Sequence, residues 1–215
     1  MSEVNVVLDW DGTVTAIDAL HIVLEEFGDE DVFEAHEARL GRELTLHEVI
    51  AGEFLTVRTP VEEVADWLCE NAQLRAGFAE FARAYRPRIV SSGFHELIEP
   101  MLAREGLELE VIANRLDARP DGWRVLFRNH EPCEVCSEPC KRVDVADLDE
   151  YVFVGDGYSD RCVSLAAARV FARDGLADYL TEQGVALEPF TDFYALAESL
   201  DPGGAVVRPS DRGFG

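Results

Sequence analysis

The sequence predicts an α/β fold in three layers: a mostly parallel sheet with helices on both faces, and a small helical unit inserted directly after the first strand. Three observations carry that prediction. Short apolar runs rich in β-branched residues recur at 4–8, 88–90 and 151–154, and each ends in a turn that contains glycine, the pattern of strands buried on both faces. Segments of helical period separate these runs, and such alternation implies crossover connections and parallel pairing. Residues 14–70 lack the strand pattern altogether.

Within 14–70, Ile17, Leu20, Val23, Leu24 and Phe27 recur at helical spacing and predict a first helix. A second covers 46–55. A third begins near Pro60, with Thr59 as N-cap and Pro60 at the first helical position, and runs through Val64, Trp67 and Leu68. Beyond it the pattern gives a helix over 75–85, a strand through Ser91, a helix over 95–104 and strand-like segments near Val111 and over 123–127. After the apolar run at 151–154 come a helix near 164–168, a strand at 170–172 and a helix near 193–200. The core unit is thus assigned to 1–13 and 71–200 and the helical unit to 14–70. The Gly, Pro and Ser content of 201–215 predicts a disordered tail.

The chemistry concentrates at the strand ends, where ligands bind in such folds. Asp9 and Asp11 lie two residues apart at the end of the first run, in Asp9-Trp10-Asp11-Gly12-Thr13. A carboxylate there can act as a nucleophile that takes a phosphoryl group, or as a hard oxygen ligand for Mg²⁺. Two so close repel one another unless a cation neutralises them or one holds a proton. The pair therefore points to a metal, a proton-transfer role, or both; the alternative is an ordinary solvated Asp-Gly turn. Lys141 stands out by composition, being the one lysine among 19 Lys and Arg residues. A compact ammonium acts as a point charge against a phosphate or carboxylate, where the planar guanidinium needs room for its fork.

Four segments in order resemble the motifs of the haloacid dehalogenase superfamily, and the chain is identified as a member on them. Asp9-Trp10-Asp11-Gly12-Thr13 resembles the first motif. Arg88-Ile89-Val90-Ser91-Ser92-Gly93-Phe94 resembles the second, Lys141 matches the lysine of the third, and Val154-Gly155-Asp156-Gly157-Tyr158-Ser159-Asp160 resembles the fourth. The resemblance implies a Rossmann-like core and, for 14–70, the small helical cap of the phosphoserine phosphatase-like branch. It implies that Asp9 is the nucleophile of an aspartyl-phosphate mechanism and that Asp11 is its acid and base. Ser91, Ser92, Gly93 and Lys141 would hold the phosphoryl group. Mg²⁺ would be held by Asp9, the backbone carbonyl of Asp11 and Asp156, with Asp160 supporting the set. Ser159 replaces the asparagine usual before that last aspartate.

For substrate, the same branch implies that the helical unit decides. Asp18 falls where an acid meets the substrate amine in phosphoserine phosphatases, but the arginine that grips the substrate carboxylate is replaced near Gly52-Glu53. A glutamate cannot serve a bidentate carboxylate contact, which disfavours phosphoserine. The chain is more similar to the 2-hydroxy-3-keto-5-methylthiopentenyl-1-phosphate phosphatases of methionine salvage, through Arg75-Ala76-Gly77-Phe78, the Ser91 segment, Cys140-Lys141, Phe171-Ala172-Arg173-Asp174 and Phe190-Thr191-Asp192-Phe193. This resemblance implies hydrolysis of a small phosphorylated metabolite. Transfer to an alcohol acceptor, an amine-bearing phosphoester such as phosphoethanolamine or phosphocholine, and noncatalytic binding of a phospholigand are the alternatives.

Composition excludes other classes. A formal charge of −24 disfavours nucleic acid and anionic membranes, since Lys and Arg carry that kind of binding. No run approaches the roughly eighteen apolar residues a membrane span needs, and 47% apolar residues in 215 suffice for a sizeable core. The expected location is the cytoplasm; oligomeric state is open. His130, Cys133, Cys136 and Cys140 lie within one short segment before Lys141 and could supply a tetrahedral Zn²⁺ site, with a disulfide or free thiols as the alternatives. Cys69 and Cys162 read as small buried apolar residues. Among the histidines, His95 follows the second motif closely enough to meet a substrate.

Overall fold

A computed structural model gives the architecture; it describes residues 4–202 together with 204, 206 and 208. Among these, seven strands form one sheet in the order β4-β3-β2-β1-β5-β6-β7. They are β1 (Val6–Leu8), β2 (Arg88–Phe94), β3 (Val111–Arg119), β4 (Gly122–Leu126), β5 (Val152–Gly155), β6 (Arg169–Ala172) and β7 (Glu188–Pro189). All pairings are parallel except the β3–β4 hairpin, which closes one edge. The fully buried run of β1 pairs with both β2 and β5, so the three strands that carry the motifs lie side by side at the centre. From β1 the chain moves outward through β2 and β3, then returns to the other side of β1 as β5. The order reverses between β1 and β5, and such a switch point opens a crevice at the strands' carboxyl ends.

The helices are α1 (Ala19–Phe27), α2 (Glu30–Glu37), α3 (Leu46–Phe54), α4 (Val61–Asn71), α5 (Phe78–Tyr85), α6 (His95–Arg104), α7 (Arg161–Ser164), α8 (Asp174–Glu182) and α9 (Phe193–Leu200). Several starts differ from the sequence reading. Asp18 caps α1 by accepting from the His21 N–H at 2.9 Å, so Ile17 lies outside the helix and is 50% exposed. α4 starts at Val61 with Pro60, not Thr59, at the cap. α5 starts at Phe78 because Gly77 takes φ +83 beneath the Tyr194 ring, which a Cβ would approach to 2.9 Å. A turn of helix stands at Arg161–Ser164, ahead of the predicted 164–168. The sequence reading missed α2, which has no fully buried residue, as well as α8 and the two-residue β7.

Helices α1–α4 bury no core of their own. Val23, Leu24, Ile50, Phe54, Val64 and Leu68 belong to one apolar cluster with Phe78, Phe94, Ile98 and Trp123. Phe54 stacks on Trp123 and meets Phe94 edge-on, and the Trp123 indole donates to the Thr59 carbonyl at 2.9 Å. Burying such rings stabilises by about 2 kcal/mol each, which fixes the helical unit over the sheet rather than leaving it to swing. Most of the tail predicted to be disordered lies outside the described residues. Of it, Val206 is buried and Arg208 pairs with Asp192. No helix of the described residues is long and apolar enough to cross a membrane.

Candidate active site

The β1 ladder continues one residue past the strand, where the Asp9 N–H donates to the Val154 carbonyl at 2.9 Å. Asp9 is thereby held in the crevice with only 5% of its surface exposed. Gly12, at φ +76, turns the chain back; a Cβ there would stand 2.4 Å from Asp156 Oδ2, so the turn leaves room for the carboxylate at the end of β5. Thr13 donates to Asp156 Oδ1 at 2.6 Å and locks the first and fourth motifs together.

Lys141, 1% exposed at the start of a short 3₁₀ turn, lies between two carboxylates. Its Nζ donates to Asp9 and, at 2.7 Å, to Asp160 Oδ1. The other Asp160 oxygen accepts from the N–H groups of Asp156 and Gly157 at 3.0 and 3.1 Å. Ser91, wholly buried, donates to Asp11 Oδ2 at 3.2 Å and accepts from the Gly93 N–H at 2.8 Å. The structure therefore brings Asp9, Asp11, Ser91, Ser92, Gly93, Lys141, Asp156 and Asp160 to one place. Asp9, Asp156 and Asp160 offer oxygens within 4.8 Å of one another.

Charge is out of balance there: four carboxylates face one ammonium. Burial, then repulsion from Asp160, pushes Asp9 up to about 6 against the pull of Lys141. Burial, then Asp9 and Asp160, pushes Asp156 up to about 9. Burial first, then Asp18 and Asp9, raises Asp11 well above the usual carboxylate range. For Lys141, burial works against the charge but Asp160 and Asp9 outweigh it and hold the ammonium.

The site opens into a cavity of about 210 Å³ between the sheet and the helical unit, with both Asp18 and Glu53 on its wall. Leu20, Phe33, Val49, Ile50 and Phe54 also line it, and Glu37 is a third acid on the wall. Glu53 is 4% exposed, and its Oε1 has no hydrogen-bond partner. Burial, then Glu37 and Asp18, pushes it up to about 8. A raised acid keeps its proton in the folded chain over a window where the unfolded chain has lost it. The stability it contributes is complete below 4.5 and is lost as pH rises through about 8. Glu53→Gln should remove that dependence: relative to the variant, the parent should lose stability between those limits at no more than about 1.4 kcal/mol per pH unit. Paired urea melts at pH 5, 7 and 8.5 check this, and parallel curves would show an ordinary glutamate.

Sequence reasoning missed several supporting groups. Arg75 directs its guanidinium at the carbonyls of Gly12, Thr13 and Thr15, with the last two at 2.8 and 3.1 Å, and so clamps the exit from β1. Arg128 pairs with Asp144 at 2.7 Å and donates to the Ser91 carbonyl at 2.9 Å from behind. Both arginines are distant in sequence from what they hold, so only their charge could have hinted at a role. His95 pairs with Glu99 at 2.7 Å and lies outside the cavity wall. The cysteine cluster also differs from the sequence reading. Cys133, Cys136 and Cys140 gather with Cys162, while His130 is exposed and turns its ring to His47 and Phe127. The β5–α7 connection carries Cys162 back beside the Lys141 loop, a proximity that spacing within 130–140 cannot reveal.

The chain, whose structure sets an aspartate pair after β1, Ser91 within β2, a buried lysine and an aspartate pair after β5, is matched over residues 6–164 by a family model, haloacid dehalogenase-like hydrolase. The chain belongs to that family. Among curated proteins it is similar to the 2-hydroxy-3-keto-5-methylthiopentenyl-1-phosphate phosphatases of Bacillus cereus (strain G9842) and Bacillus thuringiensis (strain Al Hakam). It is 26% identical to each over 211 residues, covering 92% of this chain and 95% of theirs. Its fold is shared with an HAD-family hydrolase of Salmonella enterica serovar Typhi, at TM-score 0.72 and 14% identity over 94% of this chain and 73% of that one. A phosphoserine phosphatase of T. onnurineus matches at TM-score 0.63 and 19% identity, over 92% and 94%.

Proposed function

We propose that this chain is a Mg²⁺-dependent phosphomonoester hydrolase that works through an aspartyl phosphate on Asp9, with a 2-hydroxy-3-keto-5-methylthiopentenyl-1-phosphate as the favoured substrate. The observation that carries the reading is the buried Asp9 carboxylate at the floor of the cavity, with Asp11, Ser91 and Lys141 around it. The acid excess fits a divalent cation, and the space that Gly12 leaves for Asp156 keeps a ligand position beside Asp9. Asp9, Asp156 and the Asp11 carbonyl would hold it, while both Asp160 oxygens are already taken by Lys141 and two N–H groups. When bound, Mg²⁺ would neutralise the phosphoryl charge.

The protein's own groups then account for the reaction. Asp9 attacks phosphorus, and Asp11 gives its proton to the leaving oxygen as that bond breaks. Water next attacks the aspartyl phosphate, Asp11 takes the proton back, and phosphate leaves with Asp9 restored. Ser91 and the Lys141 ammonium hold phosphoryl oxygens through both steps.

The cavity wall supports a substrate without a second anionic group. Among the described residues the wall offers no arginine or lysine to a carboxylate such as that of phosphoserine, whereas Asp18, Glu37 and Glu53 suit hydroxyls and the apolar lining suits a methylthio end. The same acids favour a second reading, an amine-bearing phosphoester. Phosphate release from the methylthiopentenyl phosphate, phosphoserine, phosphoethanolamine and an aryl phosphate, with Mg²⁺, tests both. Preference for the first by tenfold or more in kcat/KM is expected; preference for phosphoethanolamine selects the second reading, and preference for phosphoserine overturns both. No turnover of any ester by the folded protein overturns the hydrolase.

A further inference from the structure

Beside the active site lies a second cluster that the reaction does not use. Cys133, Cys136, Cys140 and Cys162 bring their sulfurs within 4.8 Å of one another, and none is in a disulfide. A zinc ion bound by four thiolates at about 2.3 Å sets its sulfurs about 3.8 Å apart, as the edges of a tetrahedron; Cys133 and Cys162 stand 3.8 Å apart. We propose that these four cysteines form a structural zinc site that ties the Lys141 loop to the helix following Asp160.

The loop is shaped for thiolates. Between the first two cysteines the chain turns tightly: Ser137 donates from its N–H to the Cys133 carbonyl at 2.8 Å, and the Cys133 N–H donates to the Glu138 carbonyl at 3.0 Å. The Val135 N–H then points at Cys133 Sγ at 3.4 Å, a contact that favours a negatively charged sulfur. Arg142 places its guanidinium 3.7 Å from Cys162 Sγ, where it offsets part of the double negative charge of a zinc tetrathiolate. Cys162 is buried and Cys133 and Cys140 are half-buried, while Cys136 is exposed, which gives the ion a way in.

Position explains what the ion would do. Cys140 immediately precedes Lys141, and Cys162 follows Asp160 by two residues. A metal shared by them would fix the Lys141–Asp160 contact from the side away from the substrate. The four are positioning residues, and the site neither depends on nor supplies the phosphoryl chemistry.

Metal analysis of the full chain, purified without chelator, tests the proposal independently of any activity. One zinc per chain is expected in the parent and in His130→Ala, and none in Cys162→Ser. Reduced, metal-free protein should take up Co²⁺ with the strong near-ultraviolet absorption of cobalt thiolates, at one ion per chain, a measurement that stands if Cys162→Ser fails to fold. Cys136→Ser, at the exposed ligand, should lower kcat about tenfold or more while KM stays within about twofold. A protein that neither contains zinc nor binds Co²⁺ when reduced overturns the site. Zinc lost with His130 and kept in Cys162→Ser overturns the ligand set, and a raised KM at constant kcat overturns the positioning role.

Discussion

Asp9→Asn is expected to lower phosphate release by about 10⁴-fold or more while leaving stability within about 1 kcal/mol of the parent. The first expectation follows from chemistry. An amide oxygen cannot hold a phosphoryl group as a carboxylate does, and Asp11, the neighbouring carboxyl on the cavity wall, is the acid and base of the proposed mechanism rather than its nucleophile. The second follows from electrostatics. Burial and Asp160 already disfavour charge at Asp9, and Lys141 keeps Asp160 as its partner at 2.7 Å after the change. A neutral amide still offers an acceptor to the ammonium. Asp11→Asn should separate the two half-reactions: it lacks the group that accepts the proton of water, so an activated aryl ester should label Asp9 and the label should persist. Mass spectrometry of acid-quenched protein reads this directly. If Asp9→Asn regains activity at raised Mg²⁺, or if Asp11→Asn never accumulates label, Asp9 acts only as a metal ligand.

The fold and the gathering of Asp9, Ser91 and Asp156 were legible because both obey local rules. Parallel strands buried on both faces must be apolar, and they must deliver their polar cargo at the carboxyl end. Asp9, Ser91 and Asp156 could therefore be placed from three short runs, whereas the position of β1 between β2 and β5 is set by pairing that the runs themselves do not specify. Lys141 was visible for a different reason, its isolation in a chain otherwise served by arginine. What could not be read depends on long-range contact. Cys162 looks like any small core residue until the sheet returns it to Cys133, 29 positions earlier. Arg75 joins residues about sixty positions away, and its targets are carbonyls, which no side-chain pattern advertises. α2 escaped because its apolar positions are few, Val32, Phe33 and Ala35 among four acids, with Phe33 alone of them packed against the core. α8 escaped because its apolar signal is short, with Leu176 and Leu180 the buried residues of a nine-residue helix.

Lys141→Met should destabilise the protein by about 3–5 kcal/mol as well as remove activity, because it leaves two buried carboxylates without their cation. Methionine fills the channel of the lysine stem, so packing is not the loss; the lost group is the ammonium shared by Asp9 and Asp160, both under 10% exposed. Lys141→Arg should not rescue it. The site is enclosed, with the side chain 1% exposed, and the planar fork does not fit a space shaped around a point charge. The cause can be isolated by removing one of the stranded charges. In the pair Lys141→Met with Asp9→Asn, only Asp160 remains, and it retains its two N–H donors. The double variant should therefore recover about half of the lost stability, a coupling of about 2 kcal/mol between residues 132 positions apart in sequence. Denaturant melts of the four proteins complete the cycle. Strictly additive losses would mean that the ammonium serves packing, whereas recovery identifies it as the counter-charge that lets a nucleophile be buried before any substrate arrives.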